Sequence, residues 1–75
     1  MKVIVVPERD CAMVTEVVQD VFTSRHMGGT ENLTLMIMRH VMEGDWSVRA
    51  SGLGDPILEA SYADVVRDAL ASALP

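Results

Sequence analysis

The pattern of apolar positions is most unusual between residues 33 and 42, where a β-strand would be apolar on both of its faces. Side chains alternate from one face of a strand to the other, so this segment carries two separate rows. The first row is Leu33, Leu35, Ile37 and Val41, and the second is Thr34, Met36, Met38, His40 and Met42. One row can join a hydrophobic core. The other row needs a second cover or stays exposed.

Two elements are predicted ahead of this strand. Residues 2–6 are rich in β-branched side chains and stop at Pro7, which predicts a first strand. Because this run is apolar on both sides, we expect it to be central in its sheet. Apolar residues then recur every three or four positions over residues 14–22, which predicts an amphipathic helix of about four turns with Asp10 as its N-cap. We expect the glycines after His26 to end this helix in a left-handed cap.

A β-hairpin is predicted to follow. The long strand is expected over residues 32–43, and a two-residue type II′ turn at Gly44 and Asp45 leads into a strand over residues 46–51. In that register Val41 faces Val48. One face then carries Leu33, Leu35, Ile37, Val41, Trp46, Val48 and Ala50, and the other carries Met36, Met38, His40, Met42, Ser47, Arg49 and Ser51. A three-residue loop with a bulge would exchange the two faces.

The C-terminal third predicts an optional short strand and a helix. Residues 57–60 could add a fourth strand, and Ser61 and Asp64 stand at capping-box spacing ahead of the helix. The apolar stripe of that helix is Tyr62, Val65, Val66, Ala69, Leu70, Ala73 and Leu74. The order β-α-β-β-(β)-α predicts one α/β (α+β) domain over residues 1–75. We expect a two-layer sandwich in which two helices cover one face of a mostly antiparallel, three- or four-stranded sheet.

The predicted sandwich leaves one sheet face bare, with Met36, Met38 and Met42 on it. Full burial of a methionine side chain is worth about 1.5 to 3 kcal/mol, and methionine adapts its shape to irregular surfaces. With His40 and Arg49 at its edge, this composition is typical of an interface. Three interpretations remain open: ordinary core or tolerated exposure, self-association through the sheet, and contact with a different protein.

The composition narrows the class of protein. Among the 75 residues, 49% are hydrophobic, and 6 basic residues stand against 11 acidic ones, for a net charge of -5. Such a chain is too apolar to be disordered, and its apolar runs are far too short to cross a bilayer. Its acidity disfavours direct contact with nucleic acid. The acidic charge either keeps the protein soluble or competes with nucleic acid for the basic groove of a partner. The start of the chain is not typical of a secretory leader, so we expect a cytoplasmic protein.

Residues with catalytic or metal-binding chemistry are few. Cys11, the single cysteine, falls in the first turn of the predicted helix, where the helix dipole favours a thiolate. Glu8 and Asp10 oppose that thiolate, so we expect Cys11 to be a small buried core residue. His26 and His40 have no carboxylate or cysteine at metal-ligand spacing. We therefore expect no metal, no cofactor and no enzymatic activity.

Two resemblances suggest a function. Residues 46–49, 57–61 and 65–70 resemble the strand, strand and helix that end the partial RNase-H-like fold of HicB-type antitoxins, although the usual Pro and Gly-Cys signals between those strands are absent. That resemblance implies a toxin as the partner. As a short, acidic, cysteine-poor chain, the protein is also similar to the small inhibitors that phages use against bacterial defence, including anti-CRISPR proteins. This second resemblance implies stoichiometric binding to a nuclease or a guide-RNA complex.

We therefore expect a non-enzymatic protein that acts by protein–protein contact. The specific hypothesis is an inhibitor of the anti-CRISPR kind, which blocks the nucleic-acid-binding surface of a bacterial defence complex by steric and electrostatic occlusion. The alternative is an antitoxin-like regulator, and a second copy of the chain could also bind through the open sheet face. The expected contact residues are Met36, Met38, His40, Met42 and Arg49 on the bare sheet face, with Glu16, Asp20, Asp64 and Asp68 as the acidic complement.

Overall fold

The computed structural model describes residues 1–74 and has the predicted α+β class. The elements are strand β1 (Lys2–Val6), a short 3₁₀ helix (Glu8–Asp10), helix α1 (Cys11–Ser24), strand β2 (Thr34–His40), strand β3 (Asp45–Ser51) and helix α2 (Pro56–Ala73). Among the described residues, three strands form one sheet and both helices contribute to the core on one side of it. The predicted two-layer arrangement is therefore confirmed.

The sheet is mixed, in the order β1-β2-β3. β1 runs parallel to β2, and β2 runs antiparallel to β3, so the two pairings divide equally instead of being mostly antiparallel. The prediction that β1 is central is wrong. The connection through α1 places β2 beside β1, and the hairpin places β3 on the other side of β2, so β1 stays at an edge.

The hairpin turn is longer than predicted. It comprises four residues, 41–44, and Gly44, at φ 73°, donates its N–H to the carbonyl oxygen of His40 at 2.7 Å. Val48 faces Ile37 instead of Val41, so the two-residue turn and its register are wrong. The observed pairing is shifted by four positions along β2 relative to the predicted pairing. Because four is an even number, every residue that lies in β2 or β3 stays on its predicted face. Val41 itself lies in the turn with 67% of its surface exposed, so its assignment to the core row is also wrong.

Helix α1 has the predicted apolar face, but both of its ends are capped differently from the prediction. Asp10 precedes its first residue as predicted, yet the Asp10 side chain makes no capping hydrogen bond. At the C-terminus, His26 adopts the left-handed conformation (φ 54°) that was predicted for a glycine. His26 N–H donates to Thr23 O at 3.2 Å, and Met27 N–H donates to Phe22 O at 3.0 Å. These two bonds form a Schellman motif, and histidine is one of the side chains that tolerate the left-handed region.

Helix α2 begins earlier than predicted. Asp55 is its N-cap, and its Oδ1 accepts hydrogen bonds from Ile57 N at 3.1 Å and Leu58 N at 3.2 Å, with Pro56 in the first turn. Residues 57–60 are therefore helical, and the predicted fourth strand and the helix start at Ser61 are wrong. The physical reason is that an Asp N-cap followed by Pro is a stronger start signal than the Ser61 hydroxyl further along the chain.

The core fills the space between the sheet and the two helices. Its buried members are Val5, Val14, Val18, Val21, Phe22, Leu33, Leu35, Ile37, Trp46, Val66 and Leu70. Trp46 Nε1 donates to Leu74 O at 3.1 Å, which ties β3 to the end of α2. Phe22 and Tyr62 meet edge to face with ring centroids 5.7 Å apart, which joins α1 to α2. The helices are therefore fixed over one face of the sheet.

Candidate interaction surface

The sheet face opposite the helices carries exposed apolar side chains. Val5, Leu35 and Ile37 are buried on the helix side, so their neighbours along each strand point away from the core. Of these neighbours, Val6, Met36 and Met38 expose 46%, 48% and 41% of their surface, and Ile4 is half-buried. We define the open face as Ile4, Val6, Met36, Met38, Ser47 and Arg49, which share this side of the sheet.

The strand register arranges the open face in two rows that cross all three strands. Met36 lies between Ile4 on β1 and Arg49 on β3, and Met38 lies between Val6 and Ser47. The part of the face on β1 and β2 is therefore apolar, and the part on β3 is polar. We call Ile4, Val6, Met36 and Met38 the apolar patch. A contiguous apolar patch with a polar rim is typical of a protein-binding surface.

The structure brings together only part of the predicted sheet-face residues. Met36, Met38 and Arg49 are neighbours on the open face, as their register shows. His40 lies at the end of β2, half-buried, and one of its ring nitrogens is hydrogen-bonded to the Ser47 hydroxyl. Met42 is 94% exposed in the hairpin turn, because β2 ends at His40. Its predicted place in the methionine row is therefore wrong.

Ile4 and Val6 belong to the apolar patch and were missing from the predicted contact residues. The sequence analysis expected β1 to be central and placed only residues of the hairpin strands on the bare face. The signal that could have identified them is the alternation along β1, in which Val3 and Val5 share one face while Ile4 and Val6 share the other. Which of those faces is open depends on the parallel pairing with β2, and sequence spacing does not determine that pairing.

The predicted acidic residues lie on a different side of the molecule. Glu16 and Asp20 on α1, and Asp64 and Asp68 on α2, are all exposed. On each helix they stand about half a turn away from the residues that face the sheet. Arg67 lies 3.2 Å from Asp64 and 4.0 Å from Asp68, so part of the negative charge on α2 is compensated. The structure therefore separates the acidic residues from the methionines instead of combining them in one surface.

The hairpin turn brings one histidine and two carboxylates together. His40, Glu43 and Asp45 each offer a ligand atom, and these atoms lie within 4.8 Å of one another. Imidazole nitrogen and carboxylate oxygen are ligands that zinc and similar divalent ions accept. Sequence spacing did not reveal this group because His40 and Asp45 face each other only when the turn has four residues. Glu43 and Asp45 are exposed, so water competes with them for any ion.

Cys11 lies at the first residue of α1, where it is half-buried and packed against the core. Its Sγ is 3.8 Å from the Thr15 hydroxyl oxygen. Cys11 therefore belongs to the margin of the core and is less buried than the predicted core residue. Cys11 also lines a shallow groove of about 530 Å³ that runs beside β1, together with Glu8 and residues 3–6.

Comparison with protein-family models, with curated proteins and with solved structures finds no match for this chain. Among residues 1–74, no helix has both the length and the apolar character that crossing a bilayer requires. The function must therefore be inferred from the surface that the fold presents.

Proposed function

We propose that this chain is a non-enzymatic binding protein that contacts a protein partner through the open face. The observation that carries this proposal is the apolar patch, in which Ile4, Val6, Met36 and Met38 are contiguous and three of the four are more than two-fifths exposed. Methionine and arginine are enriched in protein interfaces, and Arg49 lies beside Met36. Methionine also adapts to irregular partner surfaces.

The apolar patch is too small to provide the whole binding free energy of the contact. Val6, Met36 and Met38 are each already about half covered, so a partner could add about 1 kcal/mol for each of them, or about 3 kcal/mol in total. Ile4 is more deeply buried and adds less. The loss of translational and rotational freedom on association costs at least as much. Polar contacts must therefore supplement the patch, and Arg49 and Ser47 are placed beside it to make them.

The separation of apolar and acidic residues suggests how binding could inhibit a partner. If the open face docks beside a nucleic-acid-binding groove, the helices with Glu16, Asp20, Asp64 and Asp68 point away from the contact. They would then occupy space that the nucleic acid needs and repel its phosphates within about 8 Å at physiological salt. This is the mode of action of a phage-type inhibitor of the anti-CRISPR kind, and the net charge of -5 supports it.

The alternative of an antitoxin-like regulator uses the same kind of protein contact. Its resemblance included residues 57–61 as a strand, and these residues lie in α2. For that reason we favour the inhibitor.

The proposal is tested by capture of a partner with matched variants. Met38→Asp places a charge in the apolar patch, and Met13→Asp is the control, because Met13 is similarly exposed (45% against 41%) but lies on α1. Tagged wild-type protein and Met13→Asp should retain the same bacterial protein, and Met38→Asp should lose it. The purified partner should then bind its nucleic acid less well when the wild-type chain is added.

Four results would contradict parts of this account. If no protein is retained, or if Met38→Asp retains it equally, the open face is not the contact. If the partner is retained but its binding to nucleic acid is unchanged, the contact stands and the inhibitor hypothesis fails. If the partner is a toxin that this chain neutralises, the antitoxin-like alternative is correct.

A further inference from the structure

The outer edge of β1 has few of the features that normally protect an edge strand. Among the described residues β1 pairs only with β2, so its other side has no neighbouring strand. Natural edge strands are usually interrupted by charges, prolines or bulges, because an exposed edge can pair with another chain. β1 has one charge, Lys2, followed by four β-branched residues, and Pro7 comes only after its end. The strand at the opposite edge, β3, is more polar, because every second residue is polar: Ser47, Arg49 and Ser51.

The backbone of β1 leaves hydrogen-bonding groups at this edge. Lys2 N donates to Leu33 O at 2.8 Å, so the Lys2 backbone faces β2. Successive residues of a strand direct their N–H and C=O groups to opposite sides, so Ile4 and Val6 also face β2. Val3 and Val5 therefore direct theirs to the outer edge. The groove of about 530 Å³ beside residues 3–6 leaves space for an approaching strand.

We propose that the strand added at this edge is β1 of a second copy of this chain, paired antiparallel about a two-fold axis at Ile4. This inference is independent of the proposed function. In this register Val3 lies opposite the partner's Val5, and Val5 lies opposite the partner's Val3. Each of these two pairs exchanges two backbone hydrogen bonds. Ile4 then faces the partner's Ile4 on the open side, and the two sheets become one sheet of six strands.

The distribution of charge favours a second copy in the antiparallel direction. Lys2 stands at one end of β1, and Glu8 follows the other end. Antiparallel pairing brings the Lys2 end of each copy towards the Glu8 end of the other. The dimer therefore contains two such approaches of opposite charges. Parallel pairing would place the two lysines side by side. A two-fold pairing also closes on itself, so it yields a dimer and not a fibre.

The dimer would enlarge the open face. The apolar patch of each copy includes Ile4 and Val6 on β1, and the two β1 strands become the centre of the new sheet. The two patches therefore join into one continuous strip.

The test is the molar mass in solution, measured by sedimentation or light scattering from micromolar to millimolar concentration. The wild type should approach twice its 8.2 kDa mass as the concentration rises. Ile4→Lys places two positive charges directly opposite each other in the dimer and should keep the chain monomeric. Met36→Lys is the control, because Met36 lies on the same face but one strand further from the edge, and this variant should still dimerise.

A cysteine pair provides a readout that does not depend on the stability of Ile4→Lys. Directly opposed residues in a non-hydrogen-bonded antiparallel pair have Cα atoms about 4.5 Å apart, within the range of a disulfide. In a Cys11→Ser background, Ile4→Cys should form a disulfide-linked dimer on oxidation, and Met36→Cys should not.

Several outcomes would overturn the proposal. A wild type that stays monomeric over the whole range excludes the dimer. If Ile4→Lys and Met36→Lys both become monomeric, the copies pair face to face through the open face. If Met36→Cys forms the disulfide as readily as Ile4→Cys, pairing at the β1 edge is also wrong.

Discussion

The guanidinium of Arg39 lies over the indole of Trp46, with Cζ 5.1 Å from the ring centroid. The two residues face each other across β2 and β3. Arg39 Nη1 is also 3.8 Å from Oδ2 of Asp10, whose carboxylate is buried. Trp46 in turn donates to Leu74 O. This cluster connects the start of α1 with both strands of the hairpin and with the end of α2.

We expect the removal of Arg39 to destabilise the fold. Arg39→Met removes the ion pair and the stacking on Trp46, and leaves the buried carboxylate of Asp10 without its cation. The free energy of unfolding should fall by about 2 to 3 kcal/mol, which urea denaturation measures. The double variant Arg39→Met, Asp10→Asn should lose less unfolding free energy than Arg39→Met alone, because the buried amide of Asn carries no charge that needs a cation. If the double variant is as unstable as the sum of the two single variants, the residues are not coupled.

Two glycines with positive φ should respond differently to alanine. An ideal Cβ at Gly52 (φ 94°) would lie 2.0 Å from the backbone oxygen of Asn32, whereas a Cβ at Gly44 (φ 73°) meets nothing within 4 Å. Gly44→Ala bears only the conformational cost, about 1 kcal/mol. Gly52→Ala adds a clash with backbone and should cost more than about 3 kcal/mol or prevent folding. Thermal unfolding of the two variants makes the comparison, and equal costs would show that residues 32 and 52 are not in close approach.

The start of α2 can be tested at its cap. Asp55→Ala removes the carboxylate that accepts from Ile57 N and Leu58 N and should cost about 1 kcal/mol. Ser61 lies inside α2, so Ser61→Ala should leave the stability almost unchanged. Chemical denaturation distinguishes the two sites. A larger loss for Ser61→Ala would instead support a helix that begins at residue 61.

The acidic residues should affect inhibition more than attachment. Glu16→Gln together with Asp20→Asn reduces the negative charge on α1, which lies away from the open face. Retention of the partner should be unchanged, and the block of nucleic-acid binding should weaken, most clearly at low salt. Competition assays at two salt concentrations measure this effect. Loss of retention in this variant would place the contact on the helices.

In the hairpin, the sequence pattern determined the faces of the strands but not the length of the turn. Trp46 and Val48 lie on the same face as Ile37 despite the wrong turn, because the register changed by an even number of positions. The pattern could not fix the length of the turn, so Val41 and Met42 were assigned to a strand that ends at His40. Alternation determines which residues share a face but does not determine where a strand stops.

The edge position of β1 could not be predicted from the sequence, for a different reason. An apolar run such as residues 2–6 is equally compatible with a central strand and with an edge strand whose open side binds something else. Strand order depends on contacts between distant residues, such as the pairing of Ile4 with Met36. The part of the candidate surface on β2 and β3 could therefore be predicted, and the part on β1 could not.

The most direct test of the open face compares two properties of Met38→Asp. Because Met38 is 41% exposed and lies outside the core, the unfolding free energy of the Met38→Asp variant should stay within about 1 kcal/mol of that of the wild type. Its retention of the captured partner should fall at least tenfold, and the Met13→Asp control should retain the partner fully. A folded Met38→Asp that retains the partner as well as the wild type does would contradict the central claim that this protein acts through the open face.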